Sequence, residues 1–150
     1  MYTVRYFLAV VALTVSACTE QAADGHPGQP VTQRRALFKD ISRALEQMGM
    51  VLRERKAYDP QEFTANAIEL DRLSTLPWAH FPPGSTYSPS HAKSEVWSEP
   101  ETFKEMQLAF ERATQQLLLA SRAQDLAAIR EAHALVVKRC RSCHEKFHHN

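Results

Sequence analysis

Four stretches of the chain place apolar residues three and four positions apart, which is the spacing of one face of an α-helix. The first stretch begins at Val31, the second at Asp59-Pro60, the third near Phe103 and the fourth at Asp125. The stripe residues, in order, are Phe38, Ile41, Leu45, Met48 and Leu52; Phe63, Ala67, Leu70 and Leu73; Phe103, Met106, Phe110, Ala113, Leu117 and Ala120; and Leu126, Ile129, His133, Val136, Cys140, Cys143 and Phe147. A repeat of about 3.5 residues favours nearly parallel packing, so the sequence predicts an all-α fold, an antiparallel four-helix bundle over residues 31–150.

Two polar residues lie on these apolar stripes. Arg34 precedes Phe38 by four positions, so its guanidinium faces the core and needs an anionic partner or an exit to water. His133 lies on the stripe of the fourth helix, eleven residues before His144 and therefore about 16 Å from it along the axis. We interpret His133 as a hydrogen-bonded core histidine rather than as a second ligand of the same metal.

The N-terminus reads as an export signal. Arg5 precedes a run of about eleven apolar or small residues, which is too short to span a bilayer but typical of a secretory signal peptide over residues 1–17. Val15-Ser16-Ala17-Cys18 resembles a bacterial lipobox, which predicts lipidation of Cys18 and a periplasmic protein that contacts the membrane only through its lipid. The next segment has two Pro, two Gly and no apolar residue larger than Ala, which predicts a flexible linker over residues 18–30. Ordinary cleavage after Ala23 is the alternative.

Composition and charge exclude several classes of protein. The 150 residues carry a formal charge of +1, and removal of Arg5 with the signal peptide leaves zero, so no net positive field attracts nucleic acid. Four Gly argue against a phosphate-binding Gly-rich loop, and three Cys cannot form an even disulfide framework.

The two remaining Cys belong to the run Cys140-Arg141-Ser142-Cys143-His144, a C-x-x-C-H motif typical of c-type haem attachment in exported proteins. Residues three apart on a helix lie on one side, so both thiols can reach the vinyl groups of one porphyrin, and the next His can bind the iron. The alternatives are a redox dithiol, a structural disulfide, and a zinc site that would add His148 to the motif.

Residues 31–150 resemble the cytochrome c′ family, the class II c-type cytochromes. The resemblance rests on an ordered set of segments and on the position of the haem motif near the C-terminus. The matching segments are Arg34-Arg35-Ala36-Leu37-Phe38, Tyr58-Asp59, Leu76-Pro77-Trp78-Ala79-His80-Phe81, Pro83-Gly84-Ser85, Glu95-Val96-Trp97 and Asp125-Leu126, followed by the haem motif.

The resemblance assigns roles to several residues. It implies one covalent haem c, with Cys140 and Cys143 as the thioether cysteines and His144 as the iron ligand. Arg34 matches an arginine that contacts a haem propionate, and Arg35 lies at a neighbouring position that is often a propionate-contacting Gln in relatives.

The resemblance also places three aromatic residues around the haem. Phe38 matches the residue that faces the vacant sixth site of the iron, and Trp78 and Phe81 match residues that line the haem cavity or serve as core residues between helices. Low-spin relatives have Met where Phe38 stands, and Phe cannot bind iron. The resemblance therefore implies a five-coordinate, high-spin iron that binds NO and CO.

The expected function is NO binding or protection by a protein that is not an enzyme. The alternatives are a one-electron carrier to a membrane respiratory partner and, with least support, haem-dependent turnover of NO or peroxide, because no acid–base pair is evident near Phe38. Relatives often pair as dimers through their first two helices, so a homodimer is an open expectation. His148 departs from relatives, which commonly carry Arg or Lys there.

Overall fold

The computed structural model describes residues 23–149, so the predicted signal peptide and Cys18 lie outside the described residues. The elements are α1 (Pro30–Leu52), α2 (Pro60–Ser74), a 3₁₀ turn (Pro77–His80), α3 (Glu95–Ser98), α4 (Pro100–Ala123) and α5 (Leu126–Phe147). Between residues 23 and 149, no helix has both the length and the apolar character that crossing a bilayer requires. The prediction of an all-α fold is confirmed.

The four long helices α1, α2, α4 and α5 run up and down the bundle in chain order. Close contacts join α1 to α2, α2 to α4 and α4 to α5, whereas α1 and α5 approach each other much less. The bundle is therefore packed on three sides and partly open on the fourth, between its first and last helices.

One end of the bundle, where α1 ends and where α2 and α5 begin, is filled with apolar side chains; we call it the closed end. Met48, Phe63, Leu117 and Ile129 are buried there. The helices that begin at this end are capped by carboxylates. Asp59 accepts hydrogen bonds from the backbone N–H of Gln61 and Glu62, and Asp125 does the same for Ala127 and Ala128, so free N–H groups at both helix starts are satisfied.

The opposite end, where α1 begins and α5 ends, is built differently; we call it the open end. Helices α1 and α4 begin there with Pro30 and Pro100 and have no capping side chain. The connection over residues 81–94 crosses this end and leads into the short helix α3. Backbone hydrogen bonds from Lys93 to Phe147 and from His149 to His91 fix the end of α5 against this connection.

Residues 23–29 also pack against the open end. The side chain of Asp24 is fully buried, and its carboxylate accepts hydrogen bonds from the backbone N–H of Thr32 at 3.0 Å and His26 at 3.3 Å. The ring of His26 stacks on Tyr87 at 3.5 Å between centroids. The linker over residues 18–30 stays a prediction as a whole, but its last residues are fixed to the bundle.

Candidate functional site

A cavity of about 670 Å³ lies between α1, α5 and the connection that crosses the open end. Its volume is within the ~300–1,000 Å³ that is usual for cofactor and ligand sites. Aromatic side chains from every long helix except α2, from the 3₁₀ turn and from the connection form much of its wall. They are Phe38, Trp78, Phe81, Phe103, Phe110 and Phe147.

These aromatic rings hold one another in edge-on contacts. Trp78 lies 5.7 Å from Phe38, 6.0 Å from Phe103 and 6.2 Å from Phe110, measured between ring centroids. Phe81 lies 6.4 Å from Phe38 and 5.2 Å from Phe103. The cluster therefore forms a preorganised apolar wall, because each ring meets the edge of another in a favourable geometry.

Cys140 and Cys143 line the same cavity from α5, and both are free thiols. Burial raises the pKa of each thiol to about 11. A redox dithiol needs an attacking sulfur with a lowered pKa, so this environment disfavours that alternative. Free thiols also remove the support for a structural disulfide.

The imidazole of His144 lines the cavity directly after the second thiol. Burial lowers its pKa, so the neutral form with a free lone pair is favoured. Across residues 23–149, no group of three or more His, Cys, Asp or Glu is arranged to hold a metal ion, which argues against the zinc alternative. Two thiols and one neutral imidazole on an aromatic cavity are the donor set that a haem c requires, so the residues present fit this cofactor.

Arg34 is almost completely buried beside the cavity, with 3% of its surface exposed. Its Nη1 donates to the carbonyl oxygen of His80 at 2.9 Å and to Ser85 Oγ at 2.7 Å, and its Nη2 donates to the Ser85 carbonyl and to Ser90 Oγ, both at 2.6 Å. The guanidinium also lies 4.5 Å from the centre of the Phe81 ring. Burial lowers the pKa of Arg34.

The charged core residue is thus stabilised by uncharged oxygens, where the sequence predicts an anion or solvent. One contact reaches His80 at the end of the 3₁₀ turn and the other three reach Ser85 and Ser90, so Arg34 ties the connection over residues 81–94 to α1. Arg35 is exposed at the cavity wall, and no salt bridge engages it within residues 23–149.

His133 is half-buried on α5, and its Nε2 lies 3.3 Å from the carbonyl oxygen of Leu45 on α1. Burial lowers the pKa of this imidazole, which favours its neutral form. The prediction of a hydrogen-bonded core histidine is confirmed. This contact links α1 to α5, the pair of neighbouring long helices that approach each other least.

Sequence reasoning missed a group of neighbouring imidazoles at the motif, two of which are stacked. The ring of His148 lies 5.3 Å from His91, nearly parallel to it, and 5.2 Å from His144. The sequence indicated His148 as a departure from relatives and as a ligand of the alternative zinc site. His91 carried no signal, because the backbone pairing of Ala92 with His148 brings together segments that are far apart in sequence.

The fold and the site together define a class of protein: a c-type cytochrome built on a four-helix bundle, with its attachment motif on the last helix. The family model described as cytochrome c′ matches residues 29–148. Cytochrome c′ of Alcaligenes xylosoxydans xylosoxydans is 32% identical over 121 residues, which cover 81% of this chain and 94% of the relative. Cytochrome c′ of Rhodospirillum rubrum is 28% identical over 141 residues, or 93% of this chain and 94% of the relative.

Solved structures agree with this assignment. A ferrous variant of cytochrome c prime from Alcaligenes xylosoxidans with bound NO has a TM-score of 0.78 at 31% identity, covering 85% of this chain and all of that chain. A variant of the same protein with bound carbon monoxide has a TM-score of 0.78 at 30% identity and the same coverage. This chain therefore belongs to the cytochrome c′ family, whose members carry a covalently attached haem c and are not enzymes of a classical kind.

Proposed function

We propose that this chain is an exported haem c protein that binds NO and CO and serves in NO sequestration or protection. The observation that carries the proposal is the aromatic wall that faces the attachment motif. Phe38 from α1 lines the same cavity as His144 from α5, and its ring offers no atom that can bind iron.

In this proposal three residues of α5 hold the cofactor. Cys140 and Cys143 would form the two thioether bonds, and the imidazole of His144 would bind the iron. The haem c would supply an iron that can bind a small diatomic ligand. The raised pKa of both thiols fits a site that keeps them protonated until the cofactor arrives.

The two arginines on α1 have different parts in this proposal. Arg34 has four of its five N–H donors engaged by the connection, so it chiefly positions Phe81 and the cavity wall. Arg35 is exposed at the cavity and forms no salt bridge within residues 23–149, so its donors suit the acidic groups of a haem. Only the single remaining N–H donor of Arg34 could contact a haem propionate.

Phe38, Trp78 and Phe81 act together on the opposite wall. Their packed rings exclude water. A small uncharged molecule is therefore the ligand that enters the cavity at the lowest cost in desolvation free energy. Phe38 is half-buried and meets Trp78 and Phe81 edge-on, so its orientation is coupled to those two rings.

The absorption spectrum of the reduced holoprotein tests this proposal, recorded alone and with NO or CO. We expect a high-spin spectrum that changes on addition of either gas. The Phe38→Met variant should become low-spin, because a thioether would then face the iron, whereas Phe103→Met on another wall of the cavity should remain high-spin.

Two results would contradict the proposal. A low-spin spectrum of the wild-type protein without added ligand would show that another residue occupies the sixth position. A reversible one-electron couple together with indifference to NO and CO would favour the one-electron carrier instead.

A further inference from the structure

The point at which the chain leaves the bundle toward its N-terminus is fixed at the open end. The buried carboxylate of Asp24 accepts two backbone hydrogen bonds, and these hold the segment to the first turn of α1. The His26–Tyr87 stack attaches the same segment to the connection beside the cavity. Any anchor upstream of residue 24 therefore pulls on the end of the molecule that carries the site.

The distance available to such an anchor is short. Six Cα–Cα steps separate Cys18 from Asp24, and a fully extended chain covers at most about 3.6 Å per residue, so the anchor lies within ~22 Å of Asp24. Helix α1 has 23 residues and is therefore ~35 Å long. A bundle held by Cys18 cannot place its closed end on the membrane surface and leave its open end on the far side.

The charges around the cavity favour one kind of surface. Arg35, Lys39 and Arg139 line the cavity and are exposed, and we call them the basic rim. No salt bridge within residues 23–149 joins any of the three to a carboxylate. Arg53 also lines the cavity but is paired with Glu46, and at the closed end Lys56 is paired with Glu62 and Arg130 with Glu54.

We propose that the open end, with its basic rim, docks on the anionic lipid surface that holds the anchor. The proposal rests on lipidation of Cys18, which belongs to the proposed export of the protein. Each Lys or Arg near an anionic bilayer contributes an attraction that changes binding about fivefold. Docking in this orientation holds the cavity next to the lipid phase, so a small apolar gas dissolved in the bilayer reaches the site over a short path.

The test uses the full-length, processed holoprotein in vesicles that carry a fluorophore on a small fraction of lipid headgroups. Haem absorbs light and quenches nearby fluorophores, so quenching reports how close the cavity lies to the surface. We expect strong quenching in vesicles of phosphatidylethanolamine and phosphatidylglycerol, and weaker quenching at high salt or in pure phosphatidylcholine, because screening and loss of anionic lipid remove the attraction.

Two kinds of variant separate the tether from the charges. A 20-residue Gly/Ser insertion between Glu20 and Gln21 leaves residues 23–149 unchanged and should make quenching depend entirely on the basic rim. Lys39→Gln combined with Arg139→Gln should then lower quenching strongly, whereas Arg55→Gln, an exposed cation at the closed end, should leave it unchanged.

The outcomes distinguish the docking from the anchor. If mass spectrometry of the processed protein shows no acyl group on Cys18, both the lipid anchor and the docking are overturned. If the protein is acylated but quenching does not respond to salt, to lipid charge or to the two rim substitutions, only the docking is overturned. The basic rim would then bind a protein partner instead.

Discussion

The two ends of the bundle are made from the same four helices but hold their contents by different means. At the closed end Met48, Phe63, Leu117 and Ile129 fill the interior, and aspartates cap the helices that start there. At the open end the helices spread around a cavity of about 670 Å³, and their starts have no capping side chains. Edge-on aromatic contacts form much of the wall of this cavity, and hydrogen bonds from one buried arginine tie the connection beside it to α1.

This difference shows how one short chain combines stability with a binding site. Close packing contributes most of the favourable free energy of folding, and a cavity forfeits part of it. The closed end stabilises the bundle, so the open end can leave space between α1 and α5 and use polar contacts to shape that space.

The strongest test of the comparison is truncation of a side chain in the closed core. Leu117 is fully buried, so Leu117→Ala should lower the free energy of unfolding by about 2–5 kcal/mol. Leu119 lies on the same helix but is 64% exposed, and Leu119→Ala should change the free energy of unfolding by no more than ~0.5 kcal/mol. Urea unfolding followed by circular dichroism measures both, and equal losses would contradict a core concentrated on the buried face of α4.

At the open end the matching test is removal of the arginine that ties the connection to α1. Arg34→Gln loses most of four hydrogen bonds and leaves buried oxygens without donors, which should cost about 1.5–3 kcal/mol. The exposed neighbour provides the control, since Arg35→Gln should change stability by less than ~0.5 kcal/mol. Limited proteolysis within residues 81–94 should accelerate only in Arg34→Gln, and protection of that segment would show that Arg34 does not hold it.

These two regions also differ in how far the sequence could predict them. The apolar spacing located all four long helices, and the Asp-Pro and Asp-Leu starts of α2 and α5 were recognisable because capping is a local interaction. The position of Arg34 on a core stripe indicated a need for a partner. Its actual partners, the Ser85 and His80 carbonyls among them, lie on a segment without periodicity, so only the folded chain reveals them.

The candidate site also contains some features that the sequence could predict and others that it could not. The C-x-x-C-H spacing is local and placed Cys140, Cys143 and His144 together without any structure. The burial of Asp24 and the stacking of His91 on His148 depend on contacts between segments far apart in sequence, and no pattern of residue types announces them. The haem contacts of Arg34, Arg35, Phe38, Trp78 and Phe81 remain predictions.

Loss of a helix cap at the closed end should lower the free energy of unfolding by a smaller amount than Leu117→Ala or Arg34→Gln. Asp125→Ala removes the acceptor for two backbone N–H groups at the start of α5 and should lower the free energy of unfolding by about 1 kcal/mol. Asp125→Asn retains an oxygen acceptor and should recover most of that loss. Thermal unfolding of the two variants measures the difference. Equal destabilisation by both substitutions would mean that the charge of Asp125, rather than its hydrogen bonds, supports α5.

The smallest expected effect is a pH dependence of the free energy of unfolding. It is caused by His133, which lies between the two ends of the bundle. Burial lowers its pKa in the folded protein, and the positive charge of Arg53 acts in the same direction, while the contact with the Leu45 carbonyl and the charge of Glu46 oppose it. The unfolded chain binds a proton near pH 6.5, above the folded pKa, so His133 should destabilise the fold as the pH falls below about 6.5, down to the folded pKa. The His133→Gln variant cannot titrate there, so its free energy of unfolding should decline less than that of the wild type between pH 7.5 and pH 5.5 in urea titrations. Parallel declines in the two proteins would assign the acid sensitivity to other groups and leave His133 as a neutral link between α1 and α5.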